Sequence, residues 1–468
     1  MSLDPVDLLV IGAGPAGMSA AVQARHHGLS VLVLDEQASP GGQIYRNVLE
    51  SDARRLDVLG ADYLAGRALA QDFLCCGAQV VSGASVWWVG DDKQVHYLVD
   101  GQAHVAQARS LLIAAGAFER PMPIPGWTLP GVMTAGAGQI LLKSAALLPT
   151  GPVVLAGCGP LLYLLAVQYL RAGIELAALV DTSRLRDGVR AWRTLPGALR
   201  GWRDLLKGVS LLARLKRAGV RHYRGARALR IEGDDQARAL TFEHGGVRQR
   251  IACALILLHQ GVVPNTQISW ALRLEHRWSA AQLCWSAERD AWGETSQPGV
   301  FIAGDGGAIG GALAAQLQGR LAAMRVADQL QRLGVGALAC YAAPLQKVLR
   351  QRLAARPFID ALYRPLEECR MPADEVTLCR CEEVSAGDVR RYVDLGCQGP
   401  NQTKAFGRCG MGPCQGRLCG LSVTEVIAER RQVPPQQVGY YRIRPPIKPI
   451  TLGQLATESV PQRSRESA

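Results

Sequence analysis

The chain of 468 residues is longer than one typical domain, so its length predicts two or three domains. Hydrophobic residues make up 48% of it and charged residues 20%, as in a globular protein with a large core, and no run of eighteen apolar residues predicts a membrane span. The N-terminus lacks a signal-like segment, and we therefore expect a cytosolic chain. The net charge of +12 comes with no nucleic-acid motif, which argues against nucleic acid as a partner.

The first predicted elements are a strand, a glycine-rich turn, a helix and a second strand that ends at an acid. The apolar runs span residues 6–11 and 31–34, and Asp35 follows the second one. In such a unit the first glycine permits a tight turn, the second lets the backbone approach a pyrophosphate, and the third lets the helix lie close to the sheet. The acid stands about twenty residues past the glycines, where a carboxylate accepts hydrogen bonds from a ribose. The pattern predicts a Rossmann-like site for a dinucleotide. Its glycines are Gly12, Gly14 and Gly17.

Three later segments resemble the FAD-binding motifs of glutathione-reductase-like and thioredoxin-reductase-like flavoproteins. They are GGQIYR (41–46), LLIAAG (111–116) and PGVFIAGDGGAIGG (298–311). In the second segment Ala115 stands where the family has threonine. By the resemblance, the aspartate of the third segment begins a helix (312–329) that caps the flavin, and a helix N-cap without a ligand is its alternative role. The resemblance adds Gly42, Gln43, Gly116, Gly304 and Asp305 to the expected FAD site.

A second unit of strand, turn, helix and strand spans residues 151–181 and predicts a second Rossmann-like domain. Its glycines are Gly157 and Gly159 and its acid is Asp181, but Leu162 occupies the third glycine position. A leucine there pushes the helix away from the turn and narrows the pyrophosphate approach, so we do not expect ordinary tight binding of NAD(P)H. A bound nucleotide (NAD, ATP or ADP) and an inherited fold unit without a ligand both remain open.

Three other features allow a purely structural interpretation as well as a functional one. Residues 184–217 carry ten lysines or arginines on an amphipathic helical pattern, which indicates a solvated basic face, a contact with an acidic partner subunit or an anionic membrane surface. His259 has the chemistry for proton transfer, but we expect a structural or flavin-adjacent role. Cys75 and Cys76 lack a CxxC arrangement, and we expect buried, inert thiols.

Seven of the thirteen cysteines follow residue 368, which favours a metal or redox use over a disulfide framework. Cys379 and Cys381 form a C-x-C pair, and Cys414 and Cys419 form a C-x4-C pair in a glycine-rich segment. Four thiolates on two loops can enclose a 2Fe–2S cluster, with zinc and purely structural thiols as the alternatives. Cys409 precedes the second pair and is a further candidate ligand.

Nearly the whole chain is similar to one family. The motifs that carry the similarity are LVIGAGPAGMSAA, DEQASPGGQIYR, PMPIPGWTLPGVMTAGAGQ, GCGPLL, LLHQGVVPNTQ, CRCEEVSAGDV, GRCGMGPCQGRLCG and IRPPIKPITLGQLA. They resemble the α subunits of bacterial hetero-oligomeric FAD-dependent amino-acid and opine dehydrogenases, a group that includes D-hydroxyproline dehydrogenase, octopine and nopaline oxidases and hydrogen cyanide synthase. The cysteine segment resembles the ferredoxin-like domain named after bacterioferritin-associated ferredoxin.

The resemblance implies a division of labour between subunits. A β subunit similar to D-amino-acid or sarcosine oxidases holds its own FAD and oxidises the C–N bond of an amino acid or opine, for example D-hydroxyproline. The α subunit then carries electrons through FAD and the 2Fe–2S cluster to an acceptor such as a respiratory quinone, and a small ferredoxin-like subunit is a further candidate partner. No residue of this chain is expected to be a catalytic acid or base. The residue-by-residue match places FAD on Gly12, Gly14, Gly17, Asp35, Gly42, Gln43, Gly304 and Asp305, and the cluster on Cys379, Cys381, Cys414 and Cys419, since the position of Cys409 is commonly not cysteine in this group.

Together these patterns predict an α/β fold with two interleaved Rossmann-like domains and a small C-terminal helical 2Fe–2S domain. Two other functions remain open, a self-sufficient NAD(P)H-dependent FAD/2Fe–2S reductase and a non-catalytic redox or assembly module. We expect a cytoplasmic chain, at most peripheral to the inner membrane. The expected boundaries are 1–117 and 296–335 for the FAD-binding domain, 118–295 for the second Rossmann-like domain, 336–372 for a helical connector, 373–432 for the ferredoxin-like domain and 433–468 for an extended tail that is disordered from Thr457.

Overall fold

A computed structural model describes residues 5–457 of the chain. Its strands are β1 (Val6–Ile11), β2 (Val31–Asp35), β3 (Gln79–Ser82), β4 (Ser85–Val89), β5 (Gln94–Val99), β6 (Gln102–Ile113), β7 (Ala117–Glu119), β8 (Val132–Thr134), β9 (Val153–Cys158), β10 (Leu176–Asp181), β11 (His222–Arg224), β12 (Arg227–Glu232), β13 (Ala239–His244), β14 (Val247–Ala252), β15 (Leu255–Gln260), β16 (Val262–Pro264), β17 (His276–Ser279), β18 (Cys284–Ala287), β19 (Val300–Ile302), β20 (Thr377–Cys379) and β21 (Val384–Ser385).

Its helices are α1 (Pro15–His26), α2 (Ala53–Leu59), α3 (Ala61–Leu64), α4 (Gly66–Cys75), α5 (Ala135–Ala145), α6 (Pro160–Arg171), α7 (Leu185–Trp192), α8 (Leu195–Ala198), α9 (Trp202–Arg217), α10 (Gln267–Ala271), α11 (Ala312–Gln329), α12 (Ala337–Leu353), α13 (Arg356–Leu362), α14 (Glu367–Arg370), α15 (Ala386–Asp394), α16 (Pro400–Gly407), α17 (Gly420–Arg431), α18 (Pro435–Val438) and α19 (Leu452–Ala456). Across residues 5–457, no helix combines the length and the apolar character that a bilayer span requires.

The first sheet has the strand order β3–β2–β1–β6–β5–β4, with β19 also paired to β6. Strands β1, β2, β3, β6 and β19 run parallel, and β4 and β5 fold back onto β6 as an antiparallel meander. Side chains alternate between the two faces of a strand, so Val10, Val33 and Leu112 point to one face and share a hydrophobic core with residues of α1 and α11. The first glycine unit therefore lies at the centre of this sheet.

The second sheet is parallel throughout, in the order β11–β10–β9–β15–β8. Its register places Gly157 beside Asp181 on one side and beside His259 on the other. The antiparallel sheet β12–β13–β14 contributes to the same hydrophobic core as this parallel sheet. The chain enters the second domain along β7 and leaves it along β16, and these two strands pair with each other. The two Rossmann-like units are thus interleaved as the sequence predicts.

The helical C-terminal region packs on the opposite face of the first sheet. Cys379, Val423 and Tyr441 of this region lie in one hydrophobic core with Leu9 and Ile113 of the parallel strands. Because a single core holds both parts, the cysteine-bearing loops have a fixed position relative to the first sheet.

Most predicted elements of the first unit have the expected bounds, but the closing motif differs. The helix α11 spans the predicted residues, whereas Gly304–Gly306 forms a separate 3-10 turn, so Asp305 does not begin the helix. Gly311, with a φ of 88°, turns the chain immediately before α11. The expectation that Gly304 and Asp305 start this helix was therefore wrong.

The tail predicted as extended lies against the meander of the first sheet. It contains α18 near its start and α19 near its end, and the backbone N–H of Ile447 donates to the carbonyl oxygen of Trp87 (2.9 Å). The predicted disorder from Thr457 onward concerns residues 458–468, which lie outside the described residues.

Candidate functional site

The first glycine turn brings β1 and α1 closer together than side chains permit. A Cβ on Gly12 would lie 2.6 Å from the carbonyl oxygen of Ala114, and one on Gly17 would lie 1.9 Å from the carbonyl oxygen of Gly12. A Cβ on Gly42 would lie 2.9 Å from the Cα of Gly14, the residue that precedes α1. Glycine thus permits close backbone contacts around the N-terminus of α1, the part of such a unit that binds a pyrophosphate.

Asp35 ends β2 beside this turn and is buried. Its carboxylate accepts backbone hydrogen bonds from Ala13 and from Gln37, the latter at 2.7 Å. Burial raises the pKa of Asp35, while the two hydrogen bonds act in the opposite direction. A ribose hydroxyl that donates to the same carboxylate would satisfy it further, which is the role that the sequence predicts for this residue.

The third FAD-like segment (298–311) and the segment that follows β6 contact each other at glycines. A Cβ on Gly306 would lie 3.3 Å from the carbonyl oxygen of Gly116, so the two segments touch. The Asp305 carboxylate accepts hydrogen bonds from the backbone N–H groups of Gly310 and Gly311, at 2.8 and 2.9 Å. Asp305 thereby fixes the loop that leads into α11.

No motif in the sequence indicates Arg289, yet its side chain supports the closing motif. A Cβ on Gly307 would lie 2.4 Å from the guanidinium carbon of Arg289. An N–H of the same guanidinium group donates to the carbonyl oxygen of Ile302 (2.7 Å). Burial lowers the pKa of Arg289 to about 10, and the Asp305 charge acts in the opposite direction. The side chain therefore remains a cation beside the Asp305 loop at neutral pH.

A buried lysine that the sequence also does not indicate joins the two Rossmann-like domains. Lys143 donates to the carbonyl oxygen of Gln43 (3.0 Å) and to the side chain of Gln139 (2.9 Å). Gln139 donates to Gln168 (2.8 Å), which donates to the carbonyl oxygen of Leu59 (3.1 Å). Burial lowers the pKa of Lys143 to about 7. This series of hydrogen bonds runs from the Gln43 loop through α5 and α6 and back to α2, so it holds the domains in one orientation.

The second glycine turn resembles the first in its backbone, but the acid beside it accepts a hydrogen bond from a tyrosine side chain. Gly159 has a φ of 122° and precedes α6, in which Leu162 is fully buried. Asp181 is fully buried too, and its carboxylate accepts hydrogen bonds from the Tyr163 hydroxyl (2.6 Å) and the Ser183 backbone (2.8 Å). Burial acts to raise the pKa of Asp181, but its hydrogen bonds outweigh burial and hold that pKa below the ordinary value. The protein itself thus satisfies the acid that would bind a ribose.

The helical connector covers this second turn. The Cys158 thiol, inside the turn, donates to the carbonyl oxygens of Tyr363 (3.6 Å) and Arg364 (3.9 Å). The ring of Tyr363 packs against that of Tyr163, with centroids 5.8 Å apart. A direct approach of a pyrophosphate to the turn is therefore obstructed by the chain.

An open cavity of about 540 Å³ lies beside the covered turn. Five guanidinium groups line it against two carboxylates, which favours an anionic ligand. The lining residues are Arg184, Arg186, Asp187, Arg190, Arg364, Pro365, Leu366, Glu367 and Arg370.

The structure agrees with the expectation for His259 but not with that for Cys75 and Cys76. His259 is buried with its Nδ1 2.6 Å from a carboxylate oxygen of Glu119, whose other oxygen accepts from the backbone of Gly136 (2.7 Å). This placement, between β15, β7 and α5, agrees with a structural role. Cys75 and Cys76, expected to be buried, are exposed and half-buried because α4 ends on the surface at Cys75, so that expectation was wrong.

The C-terminal cysteines form a buried trio with a pair beside it. The Sγ atoms of Cys379, Cys409 and Cys419 lie within 4.8 Å of one another, and all three residues are buried. The thiols of Cys381 and Cys414 hydrogen-bond to each other, with Cys381 exposed and Cys414 half-buried. Hydrogen bonds from the Cys409 and Cys419 thiols lower the pKa of Cys379 to about 2. Of the four predicted ligands, the structure thus brings Cys379 and Cys419 together with Cys409, whereas Cys381 and Cys414 form a separate contact beside them.

The surroundings of these thiols suit a thiolate-bound centre. The backbone N–H groups of Gly410 and Glu382 donate to Cys379, and backbone donors of this kind stabilise the negative charge of coordinated sulfur. A Cβ on Gly412 would lie 2.3 Å from the Cβ of Cys381, so the loop needs glycine to approach this closely. The donor set fits an iron–sulfur cluster and also fits zinc.

Comparisons with known proteins give the family. Residues 6–319 match the family described as pyridine nucleotide-disulphide oxidoreductase, and residues 377–459 match the sarcosine oxidase A3 domain. The chain is 44% identical to a subunit of opine oxidase from Rhizobium meliloti, over 96% of this chain and 87% of that protein. It is 34% identical to hydrogen cyanide synthase subunit HcnB of Pseudomonas protegens, over 96% of this chain and 97% of that protein. The crystal structure of L-proline dehydrogenase from P. horikoshii matches with a TM-score of 0.70 at 18% identity, over 97% of this chain and 79% of that chain, which shows a shared fold.

Proposed function

Since this chain belongs to the pyridine nucleotide-disulphide oxidoreductase family, in one group with the opine oxidase and hydrogen cyanide synthase subunits, and is an FAD-dependent oxidoreductase, we propose that it is the electron-transfer α subunit of a hetero-oligomeric dehydrogenase. In this proposal a partner β subunit, similar to D-amino-acid or sarcosine oxidases, oxidises an amino acid or opine such as D-hydroxyproline. This chain passes the electrons on by way of FAD and a 2Fe–2S cluster.

The observation that carries the proposal is the convergence of thiols in the core that backs the first sheet. FAD exchanges one or two electrons and a 2Fe–2S centre exchanges one, so the two groups together connect a two-electron oxidation to single-electron transfer. The protein's own residues fix the separation of the two sites, because Cys379 and Cys419 lie in one hydrophobic core with Leu9 and Ile113.

The proposed cluster ligands are Cys379, Cys381, Cys414 and Cys419. The contact between Cys381 and Cys414 supports one end of the cluster, and the proximity of Cys379 to Cys419 supports the other. Cys409 is then a fifth, uncoordinated thiol. The proposed FAD contacts are Gly12, Gly14, Gly17, Asp35, Gly42, Gln43, Gly116, Gly304 and Asp305.

A surface of apolar and basic side chains on the second domain supports contact with another component of the complex. It extends over α7 to α9, where exposed apolar residues alternate with arginines. An acidic partner subunit and an anionic membrane both fit this surface. The proposal places the chain in the cytoplasm or at the periphery of the inner membrane, with a quinone as acceptor and a small ferredoxin-like subunit as a further partner. The exposed apolar residues are Val189, Trp192, Leu199, Trp202, Leu206 and Val209.

The competing function, an NAD(P)H-dependent reductase, requires a nicotinamide at the second glycine turn. The hydrogen bond from Tyr163 to Asp181 and the cover of Cys158 by Tyr363 both count against it. A nucleotide (NAD, ATP or ADP) has room for its phosphates in the arginine-lined cavity, which supports a bound nucleotide that does not deliver hydride.

The experiment that tests the proposal is anaerobic purification of the full chain with its co-purifying subunits. Iron, acid-labile sulfide and flavin are measured per chain, and flavin reduction is followed by absorbance with D-amino acids, hydroxyproline, opines, glycine and NADH. We expect two irons and two sulfides per chain, as a 2Fe–2S cluster requires. An amine should reduce the flavin only when a second flavoprotein is present.

Three outcomes would contradict the proposal in different ways. Rapid bleaching of the isolated chain by NADH would make it a pyridine-nucleotide reductase. Zinc in place of iron would remove the electron-transfer role of the cysteine site. Full activity on an amine without any second subunit would place the substrate site in this chain.

A further inference from the structure

Cys409 is the thiol that the proposed ligand set leaves over, and it is completely buried. Its Sγ lies within 4.8 Å of the Sγ atoms of Cys379 and Cys419. Its S–H donates a hydrogen bond to Cys379. A buried polar group in contact with two proposed ligands therefore points at the cluster site rather than at solvent.

Tyr441 completes this arrangement from the C-terminal tail. It is 1% exposed, and its hydroxyl donates to the Sγ of Cys409 (3.4 Å) and lies 4.0 Å from the Sγ of Cys419. Two glycines hold the ring in place, since a Cβ on Gly410 would lie 2.5 Å from its Cζ and one on Gly416 would lie 2.6 Å from its Cδ2. The hydroxyl thus has a fixed position beside the thiols.

Besides Cys409, the described residues place Cys419 and Thr403 within hydrogen-bond reach of this hydroxyl. Thr403 Oγ1 lies 3.5 Å from the Tyr441 oxygen, and its own proton goes to the carbonyl oxygen of Pro400 at 2.7 Å. Sulfur that carries negative charge is the stronger acceptor, because charge-assisted hydrogen bonds are roughly twice as strong as neutral ones. A Cys409 thiol that donates to such a charged sulfur becomes a better acceptor itself, because hydrogen bonds in a chain polarise one another, and this favours donation by Tyr441 toward Cys409.

We propose that Cys409 and Tyr441 are positioning residues that set the reduction potential of the cluster, with Tyr441 donating to Cys409 and Cys409 donating to the sulfur of Cys379. This inference rests on the 2Fe–2S cluster of the proposed function. One electron enters the cluster on reduction and adds one negative charge, which hydrogen-bond donors stabilise. Loss of either donor therefore disfavours the reduced form and lowers the potential.

The test is an anaerobic redox titration of the full chain with its partner subunits, in which the electron paramagnetic resonance of the reduced cluster and the absorbance of FAD are recorded together. For Cys409→Ala and Tyr441→Phe we expect a shift of about tenfold toward the oxidised cluster, which is about 59 mV for a one-electron couple, with full iron and sulfide. Cys409→Ser keeps an O–H donor and should recover part of the shift. Tyr440→Phe removes the neighbouring hydroxyl, which has no bond to sulfur among the described residues, and should change nothing.

Other results overturn the inference. Loss of iron from Cys409→Ala would make this residue a ligand. Loss of iron from Tyr441→Phe would make Tyr441 a structural residue, and an unchanged potential with full iron in both variants would exclude a tuning role. A wild-type chain without iron and sulfide would refute the cluster itself, and this result differs from all variant-specific outcomes.

Discussion

At the scale of single residues, substitutions of Cys381 and Cys414 distinguish a ligand role from a packing role. Cys381 is exposed and Cys414 half-buried, so serine at either position removes little buried surface. Each substitution nevertheless takes one thiolate from the proposed cluster. We expect Cys381→Ser and Cys414→Ser to lose most of their iron and sulfide while FAD per chain and the unfolding temperature stay close to the wild type.

A matched control is Cys340→Ser, which replaces another exposed cysteine, on α12. This variant should keep its full iron content. If both pair variants retained the cluster, the trio of Cys379, Cys409 and Cys419 would have to supply the ligands, and the assignment would change.

The same scale shows which site residues a sequence can reveal. Gly17 could be predicted, because the reason for glycine is a close approach to Gly12 within one short turn. Lys143 could not, because its bond to Gln43 joins residues 100 positions apart, and this proximity depends on how two domains pack. Arg289 could not either: it lies only 13 positions from Ile302, but no motif connects the two residues.

At the scale of elements, the hairpin β17–β18 and helix α10 contain a histidine that makes their stability dependent on pH. His276 stacks on Trp270 with centroids 3.6 Å apart, and its ring nitrogens lie 2.9 Å from the Ser269 hydroxyl and 2.7 Å from the Leu274 carbonyl oxygen. Burial lowers the pKa of His276 to about 4, although the hydrogen bond to Leu274 acts in the opposite direction.

An unfolded chain protonates this histidine near pH 6.5, so between that pH and about 4 the unfolded state holds one more proton than the folded state. The free energy of unfolding should therefore fall as the pH falls through this range, by at most about 1.4 kcal/mol per pH unit from this group. The measurement is the unfolding temperature of the wild type and of His276→Gln from pH 7.5 to 5. The advantage of the wild type should shrink with acid, and a constant difference would refute the assignment.

The second glycine turn supplies another prediction at this scale. Leu162→Gly restores the motif, but it removes a fully buried side chain, which costs about 2–5 kcal/mol for leucine to alanine, and it adds about 1 kcal/mol for glycine in a helix. We expect a large drop in unfolding temperature. We also expect no reduction of the flavin by NADH, because the Tyr163 hydroxyl still donates to the Asp181 carboxylate. Leu162→Ala is the control for the loss of packing. Fast bleaching by NADH in the glycine variant alone would show that the leucine was the obstacle.

The obstruction of this turn could be predicted only in part. Leu162 is visible in the sequence as a departure from the glycine pattern. The cover by Tyr363 is not, because its contact with Cys158 joins residues 205 positions apart and depends on the path of the connector. Elements that follow one another in the chain could therefore be predicted, whereas the connector's contact with the turn could not.

At the scale of the whole molecule, the two Rossmann-like units could be predicted because each repeats its pattern within about thirty residues. The position of the cysteine region against the first sheet could not be predicted in the same way. The apolar run at residues 8–11 of β1 does indicate a strand that is buried on both faces, as parallel strands are. It does not say which segment covers the second face, and that turns out to be the C-terminal region.

A buried ion cluster ties this C-terminal region to the rest of the chain. Glu425, on α17, is 2% exposed and pairs with Arg370 at the end of α14 and with Arg120 after β7, the latter at 3.8 Å. Arg120 also donates to the carbonyl oxygens of Gln282 and Leu283, both at 2.8 Å. The cluster thus joins α17, the connector, the start of the second domain and the segment before β18.

Glu425→Gln should destabilise this junction strongly, because it leaves the buried guanidinium group of Arg120 and the partly buried one of Arg370 without this counter-charge. Breaking one partner of a buried pair costs about 3–5 kcal/mol, whereas an exposed pair contributes about 0–1 kcal/mol. Asp394→Asn is the matched control, since Asp394 pairs with Arg430 at 2.7 and 2.9 Å on the surface. We expect only Glu425→Gln to lower the unfolding temperature clearly and to release iron on mild heating before FAD is lost. Equal behaviour of the two variants would mean that the shared hydrophobic core alone holds the cysteine region in place.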